Sequence, residues 1–251
     1  MNALTTQIAE TNLKTTLVIM RASIGRITFL AVSRSLGMLA AGVIIANFAI
    51  VLFTMIAGII LSVANPPTTS LELHRLIVDH YREEPVTFVP IAKIPVRIQR
   101  MFVRVEDSTF YRHRGIELSA IEHAYRVNRA AGEIVLGGST ITQQLVRTLF
   151  LSNRKDYVRK YTEALMAVSL NSVMAKQRQL ELYLNYIEWG KGIYGIGAAS
   201  RYYYGKPLSK IDLDQAIRLA VVITSPLLYN VFTFGKNAGM VERYGCLWSS
   251  R

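Results

Sequence analysis

From Ser35 to Leu71 the chain carries no charged residue, and Leu36 to Val63 is almost wholly apolar, with Gly42-Val43-Ile44-Ile45-Ala46 and Ile50-Val51-Leu52-Phe53 inside it. Roughly 20 apolar residues in a helix cross a bilayer. A core helix of a globular domain ordinarily shows a polar stripe at this length, and this run shows none. Ser62-Val63-Ala64 has the form of a signal-peptidase site, yet the run is far longer than the roughly 7 to 15 apolar residues of a secretory signal. An uncleaved transmembrane anchor over 35–64 is therefore expected. Lys14, Arg21, Arg26 and Arg34 precede it against the single acid Glu10. The positive-inside rule then puts a basic N-terminus, 1–34, in the cytoplasm and the remainder of the chain outside.

What lies beyond the anchor is long enough for one ordinary domain, and 51% of the 251 residues are hydrophobic, which excludes disorder throughout. The formal charge of +12 suits nucleic acid, an anionic membrane surface or a phosphorylated substrate equally well. Cys246 is the sole cysteine, so neither an intramolecular disulfide nor a cysteine-built zinc cluster can form. The spacing of His74, His80, His113 and His123 does not match a metalloprotease site either.

Pro66-Pro67-Thr68-Thr69-Ser70 marks the juncture between anchor and domain, and Pro85, Pro90 and Pro95 interrupt 65–95, which reads as a connector. Helical spacing follows at Ile98, Met101, Phe102 and Val105, and again at Leu118, Ile121 and Tyr125 before Gly132. Thr140 and Gln143 are spaced as a capping box that opens a helix with Ile141, Leu145 and Leu149 on its apolar face. Thr140, Gln144 and Arg147 then align on the opposite, polar face. Two more helices are expected at about 155–175 and 176–187, then a glycine-punctuated loop, a helix over 198–204, and a last helix from near Asp212 to Pro226. Alternating strand patterns are scarce, so the domain should be mainly α.

Glu106 and Asp107 stand where an apolar helical stripe ends, at the rim of a core rather than on a solvated face. A carboxylate poised there is suited to general acid-base work at a sugar hydroxyl, although an acid pair at a helix end is more often a solvated or capping pair. Glu163 lies one turn after Arg159, an ordinary i,i+4 ion-pair spacing. Around it Arg147, Arg154, Lys155, Arg159 and Lys160 are dense enough to take phosphate through charge-assisted bonds. They also suit a plain solvated face or an anionic lipid surface. Glu181 and Asn185 share a helical face. Gly137-Gly138-Ser139-Thr140 offers backbone N–H groups to an anion but lacks the Lys-Ser/Thr ending of a nucleotide-binding loop.

In this order the pieces resemble the family 51 glycosyltransferases, which polymerise peptidoglycan. The resemblance rests on Glu-Asp-x-x-Phe-x-x-His-x-Gly at Glu106 to Gly115, with Phe110 and His113 in place, and on Gly-Gly-Ser-Thr-Ile-Thr-Gln-Gln at Gly137 to Gln144. Arg-Lys-x-x-Glu at Arg159 to Glu163 and Leu-Glu-x-Tyr-Leu-Asn at Leu180 to Asn185 continue it. Gly192 to Gly195 and Tyr204 to Lys206 extend it, so that it covers about 96–230 and leaves 231–251 as a tail of open role. Arg147 stands where the family usually has lysine, and Gln179 where an aliphatic residue is common.

The resemblance implies a lysozyme-like helical glycosyltransferase domain that transfers a lipid-linked glycan from its pyrophosphate to lipid II, with inversion. Its partners would be lipid II, the growing lipid-linked glycan, the cytoplasmic (inner) membrane and other cell-wall synthesis proteins, but not nucleic acid. By the same resemblance Glu106 is the base on the acceptor 4-hydroxyl. Arg147, Lys155, Arg159 and Lys160 neutralise the leaving pyrophosphate, with a divalent cation (magnesium or manganese) held at Glu163 and no organic cofactor. Asp107, Phe110 and His113 hold Glu106. Gly138, Ser139, Thr140, Gln143 and Gln144 line the cleft, and Glu181 with Asn185 support it. A chain of this length has no room for a transpeptidase domain, so a monofunctional enzyme is expected. Two rivals remain at this point, a lysozyme-like glycan-cleaving enzyme and a non-catalytic membrane scaffold.

Overall fold

The computed structural model describes residues 2–249 apart from 82, 83, 85, 86, 134–136, 153 and 155, and it describes side chains at Met20 and from Val32 onward. The chain divides into two units, one up to Ala49 and one from Ile50. The first is helical throughout its described length and belongs to α1 (Asn2–Val63). Val32–Val63, with a mean hydropathy of 2.6, is long and apolar enough to cross a membrane.

The second unit is mainly α, as the scarcity of strand patterns implies. It takes in the end of α1, then α2 (Ser70–Ile77), α3 (Val96–Glu106), α4 (Leu118–Ala131), α5 (Ile141–Phe150), α6 (Tyr157–Val173) and α7 (Lys176–Tyr186). After a short antiparallel pair, β1 (Glu188–Gly190) and β2 (Ile193–Tyr194), come α8 (Ile196–Tyr204), α9 (Leu213–Val222) and α10 (Ala238–Ser249). Side-chain caps account for several of the helix starts. Thr69 with Glu72, Thr140 with Gln143 and Asp212 with Gln215 each form a reciprocal box that satisfies N–H groups the helix itself leaves unpaired.

Two hydrophobic clusters hold the domain, and α5 and α7 contribute to both. Ile141 and Tyr183 belong to one, with Ile98, Phe102, Phe110, Trp189, Ile217 and Val221. Leu145, Val146, Leu149 and Leu182 belong to the other, with Met166, Leu170 and Leu61 of α1. The last turns of the apolar helix are thus part of the domain's own core. Thr54 is fully buried there, and Phe53 meets Phe150 edge-on with ring centroids 5.6 Å apart.

The stretch read as a connector is tied down at several of its described residues. Arg75 grips Glu188 with two hydrogen bonds of 3.1 and 3.0 Å, and Tyr186 Oη donates to the carbonyl of Pro66 at 2.8 Å. Glu181 accepts from the backbone N–H of Ile91 at 2.6 Å, while Asn185 pairs with both backbone groups of Val89. Those two polar residues of α7 hold residues 89–91 in place.

Two elements depart from the periodicity reading. In α4, Leu118, Ile121 and Tyr125 are exposed, and Ala124 is the residue the helix buries. Its packing is decided by backbone approach, since a Cβ on Gly138 would lie 2.9 Å from the Cα of Ile121. The second departure is α10, a helix beyond the expected last one, capped by Asn237, whose Oδ1 accepts from the Met240 N–H at 3.0 Å. Met240 and Leu247 anchor it in the first cluster.

Gly115 is demanded twice over. Its φ is +102°, and a Cβ there would lie 2.5 Å from the backbone oxygen of Ala167 in α6. Gly115→Ala should therefore destabilise the domain by about 2–4 kcal/mol, read as a drop in the melting temperature of the detergent-solubilised protein.

Candidate active site

A cavity of about 440 Å³ opens between the end of α3, the start of α4 and the segment before α5, and Glu106, Asp107, Ser108, Gly138, Ser139 and Thr140 are among its walls. Glu106 is the last residue of α3, where the helix delivers its side chain from the apolar stripe to the cavity. The carboxylate is 9% exposed and has two donors. Gln144 Nε2 donates to Oε2 at 2.9 Å, and Arg243 of α10 makes an ion pair with Oε1. Tyr183 Oη donates to Gln144 Oε1 at 3.2 Å, which fixes the amide with its NH₂ toward Glu106. Burial holds the Tyr183 hydroxyl well above its ordinary pKa, with the charge of Glu106 adding to the shift and Arg243 and Arg147 opposing it. The phenol is therefore a permanent donor.

Asp107 leaves the helix and joins two segments of chain. Its Oδ2 accepts from the Ile141 N–H at 2.9 Å and from His113 Nε2 at 2.7 Å. Because the Gly115 N–H donates to His113 Nδ1 at 3.1 Å, Nε2 carries the proton shared with Asp107. Thr140 Oγ1 donates to the Gly115 carbonyl at 2.7 Å, so the segments around Glu106 and Gly138 are bonded in two places. Gln143 is buried and committed to the capping box, away from the cavity wall. Phe110 is fully buried, with the Lys176 ammonium 4.5 Å above its ring.

Lys176 Nζ has no hydrogen-bond partner among the described residues. Burial lowers its pKa to about 8, against the opposing pull of Asp107. A cation whose folded pKa is depressed costs stability below that value. Stability should thus rise with pH between about 8 and 10.5 as the folded form sheds the proton first. Lys176→Met should remove that rise from a pH series of denaturation midpoints.

Glu163 lies buried on α6, and Arg159 Nη1 and Lys160 Nζ each reach one of its oxygens at 2.5 Å. Lys160 Nζ also donates to Ser139 Oγ at 2.7 Å, which carries the cluster to the cavity wall. Arg147 is half-buried, one turn beyond Gln144, and its guanidinium makes no hydrogen bond or ion pair among the described residues. Lys155 lies outside the described residues.

Glu163, where a divalent cation is expected, is paired with two cationic side chains. Both carboxylate oxygens already face positive groups, and among the described residues no cluster of three or more His, Cys, Asp or Glu is placed to hold a metal. An ammonium and a guanidinium steadied by one carboxylate are groups suited to charge-assisted bonds with an anion.

Arg243 and Tyr183 are the partners that the motifs alone did not single out for Glu106. Tyr183 was already inside a recognised motif, but its reach to Gln144 depends on how α5 and α7 pack. For Arg243 the local signal was the helical spacing of Met240, Tyr244 and Leu247 after Asn237, within a tail where the resemblance fades.

A mainly helical domain that sets one glutamate in a cleft beside a basic cluster falls in the lysozyme-like class. A family model described as Transglycosylase matches residues 74–244, and the chain belongs to the transglycosylase family. Proteins named biosynthetic peptidoglycan transglycosylase from Burkholderia cenocepacia (strain HI2424) and Burkholderia ambifaria (strain MC40-6) are each 47% identical to it over 139 residues, 55% of this chain and 57% of theirs. The one from Burkholderia multivorans (strain ATCC 17616 / 249) is 46% identical over the same length and shares. The chain thus spans little more than half the length of these curated relatives.

Proposed function

We propose that the protein is a membrane-anchored peptidoglycan glycosyltransferase that polymerises lipid II. The observation that carries this reading is Glu106, held between Gln144 and Arg243 in a cavity whose wall continues through Ser139 to Lys160, Arg159 and Glu163. A base and an anion site in one cleft are what glycosyl transfer from a pyrophosphate donor requires.

Each Glu106 oxygen keeps a lone pair beyond its present partner. One of them accepts the proton of the acceptor 4-hydroxyl as that oxygen bonds to the donor's anomeric carbon. The bond from that carbon to the lipid pyrophosphate breaks on the opposite face, so the configuration inverts, and the pyrophosphate departs with the electron pair. Arg147, Arg159 and Lys160 take up its charge, with Glu163 keeping the latter two extended toward the cleft. Asp107, His113 and Thr140 hold the backbone around the base. The apolar span Val32–Val63 would anchor the enzyme in the cytoplasmic membrane, with the basic segment inside and the domain outside, where a substrate with a lipid tail is met in two dimensions.

Purified full-length protein in detergent, given lipid II, should yield polymeric glycan and free lipid pyrophosphate. Soluble fragments from preformed wall without polymer would instead favour the glycan-cleaving rival. Arg243→Ala should lower kcat about tenfold, a loss expected for one charge-assisted bond at the base, with Arg243→Lys recovering part of it in the same assay.

A further inference from the structure

Glu106 receives its cation from α10, so the pairing depends on how that helix is turned about its own axis. Met240 and Leu247 are the residues α10 buries. Their hydrophobic contact holds the helix on α9, but such contact is non-directional and sets the rotation only loosely. Side chains reach about 5–6 Å from a helix axis, so a rotation of about 10° moves their ends by about 1 Å. A misplacement of about 1 Å near reacting atoms can cost about 10²-fold in rate.

Directional contacts gather one residue on from Arg243, about 100° around the helix. Tyr244 Oη donates to Asp214 Oδ1 at 2.5 Å, and the other oxygen of Asp214 accepts from Arg218 Nε at 2.8 Å. Asp214 and Arg218 are one turn apart on α9, so the acceptor for Tyr244 is itself held. Arg218 Nη1 donates in addition to the Val231 carbonyl at 3.2 Å, which ties the segment ahead of α10 to the same group. The Arg218 guanidinium lies 5.3 Å from the ring centroid of Phe234 and 5.7 Å from that of Tyr244. Those two rings stack with centroids 5.4 Å apart and planes at 28°. A turn of α10 would break the Tyr244–Asp214 bond, because hydrogen bonds weaken steeply with angle. Neither residue is a wall of the catalytic cavity.

We propose that Tyr244 is a positioning residue for the base: bonded to Asp214, it fixes the rotation of α10 and so places Arg243 against Glu106. The inference rests on the glycosyltransferase reading, in which Glu106 takes the acceptor's proton. Tyr244 acts on the reaction only through Arg243. Its effect should therefore vanish when Arg243 is gone.

Tyr244→Phe removes the hydroxyl and keeps the ring, its stack on Phe234 and the burial of Met240 and Leu247. In the full chain in detergent it should lower kcat for lipid II polymerisation about threefold with KM unchanged, and made in Arg243→Ala it should lower kcat no further. Asp214→Ala removes the same bond from the α9 side and should show the same dependence on Arg243. Tyr203→Phe is the control, since it also deletes a bonded tyrosine hydroxyl, one that donates to the Trp189 carbonyl at 2.8 Å, and it should leave kcat as it is. A loss of equal size with and without Arg243 from either substitution, no loss from Tyr244→Phe, or the same loss from Tyr203→Phe would overturn the positioning role while leaving the polymerase intact. Absence of polymer from the unmodified protein would overturn the glycosyltransferase reading, and the role of Tyr244 with it.

Discussion

Glu106→Gln should reduce glycan polymerisation by about 10²–10⁴-fold, the range lost when a positioned general base is removed. The substitution keeps the shape and one of the two acceptor oxygens that Gln144 and Arg243 now share, but it cannot take the acceptor's proton. The melting temperature should move little, because the side chain sits at the cavity and not in either hydrophobic cluster. Product gels of labelled lipid II read the activity. Polymer formed at the unmodified rate would remove Glu106 from the chemistry and leave the cleft without a base.

The second large effect is on stability. Asp107→Ala should cost about 3–5 kcal/mol, because the His113 Nε2–H and the Ile141 N–H would be left buried without an acceptor. Asp107→Asn should fall between, since an amide oxygen in the place of Oδ2 still accepts both bonds but without the carboxylate's charge. Denaturation in detergent measures this directly. Activity should fall by more than the folded fraction does, as the end of α3 loses its tie to the start of α5. A variant that melts like the unmodified protein would mean the Asp107 bonds contribute nothing net.

The helix starts were legible in sequence because they are local. Thr140 and Gln143 meet within one turn, and the structure shows both bonds of the box. The polar face that Gln144 and Arg147 share follows likewise from helical geometry. Burial was legible only where a stripe met a partner. Leu118, Ile121 and Tyr125 have the spacing of a core face yet lie exposed, since α4 is seated through Gly138 and Ala124 rather than through its large residues. Glu163 was the reverse case. Its i,i+4 spacing from Arg159 is that of a common surface pair, while its near-complete burial depends on how α6 packs in the fold. The reach of Arg243 to Glu106 was not legible at all, because the pair is separated by 137 residues and no local pattern encodes such a contact.

That separation bears on biogenesis. A chain made from its N-terminus delivers Glu106 long before the helix that carries its cation. Until α10 has emerged and docked on α9, the carboxylate faces its cleft with Gln144 alone. A chain cut short of residue 243 would lack the ion pair that Arg243 makes with Glu106.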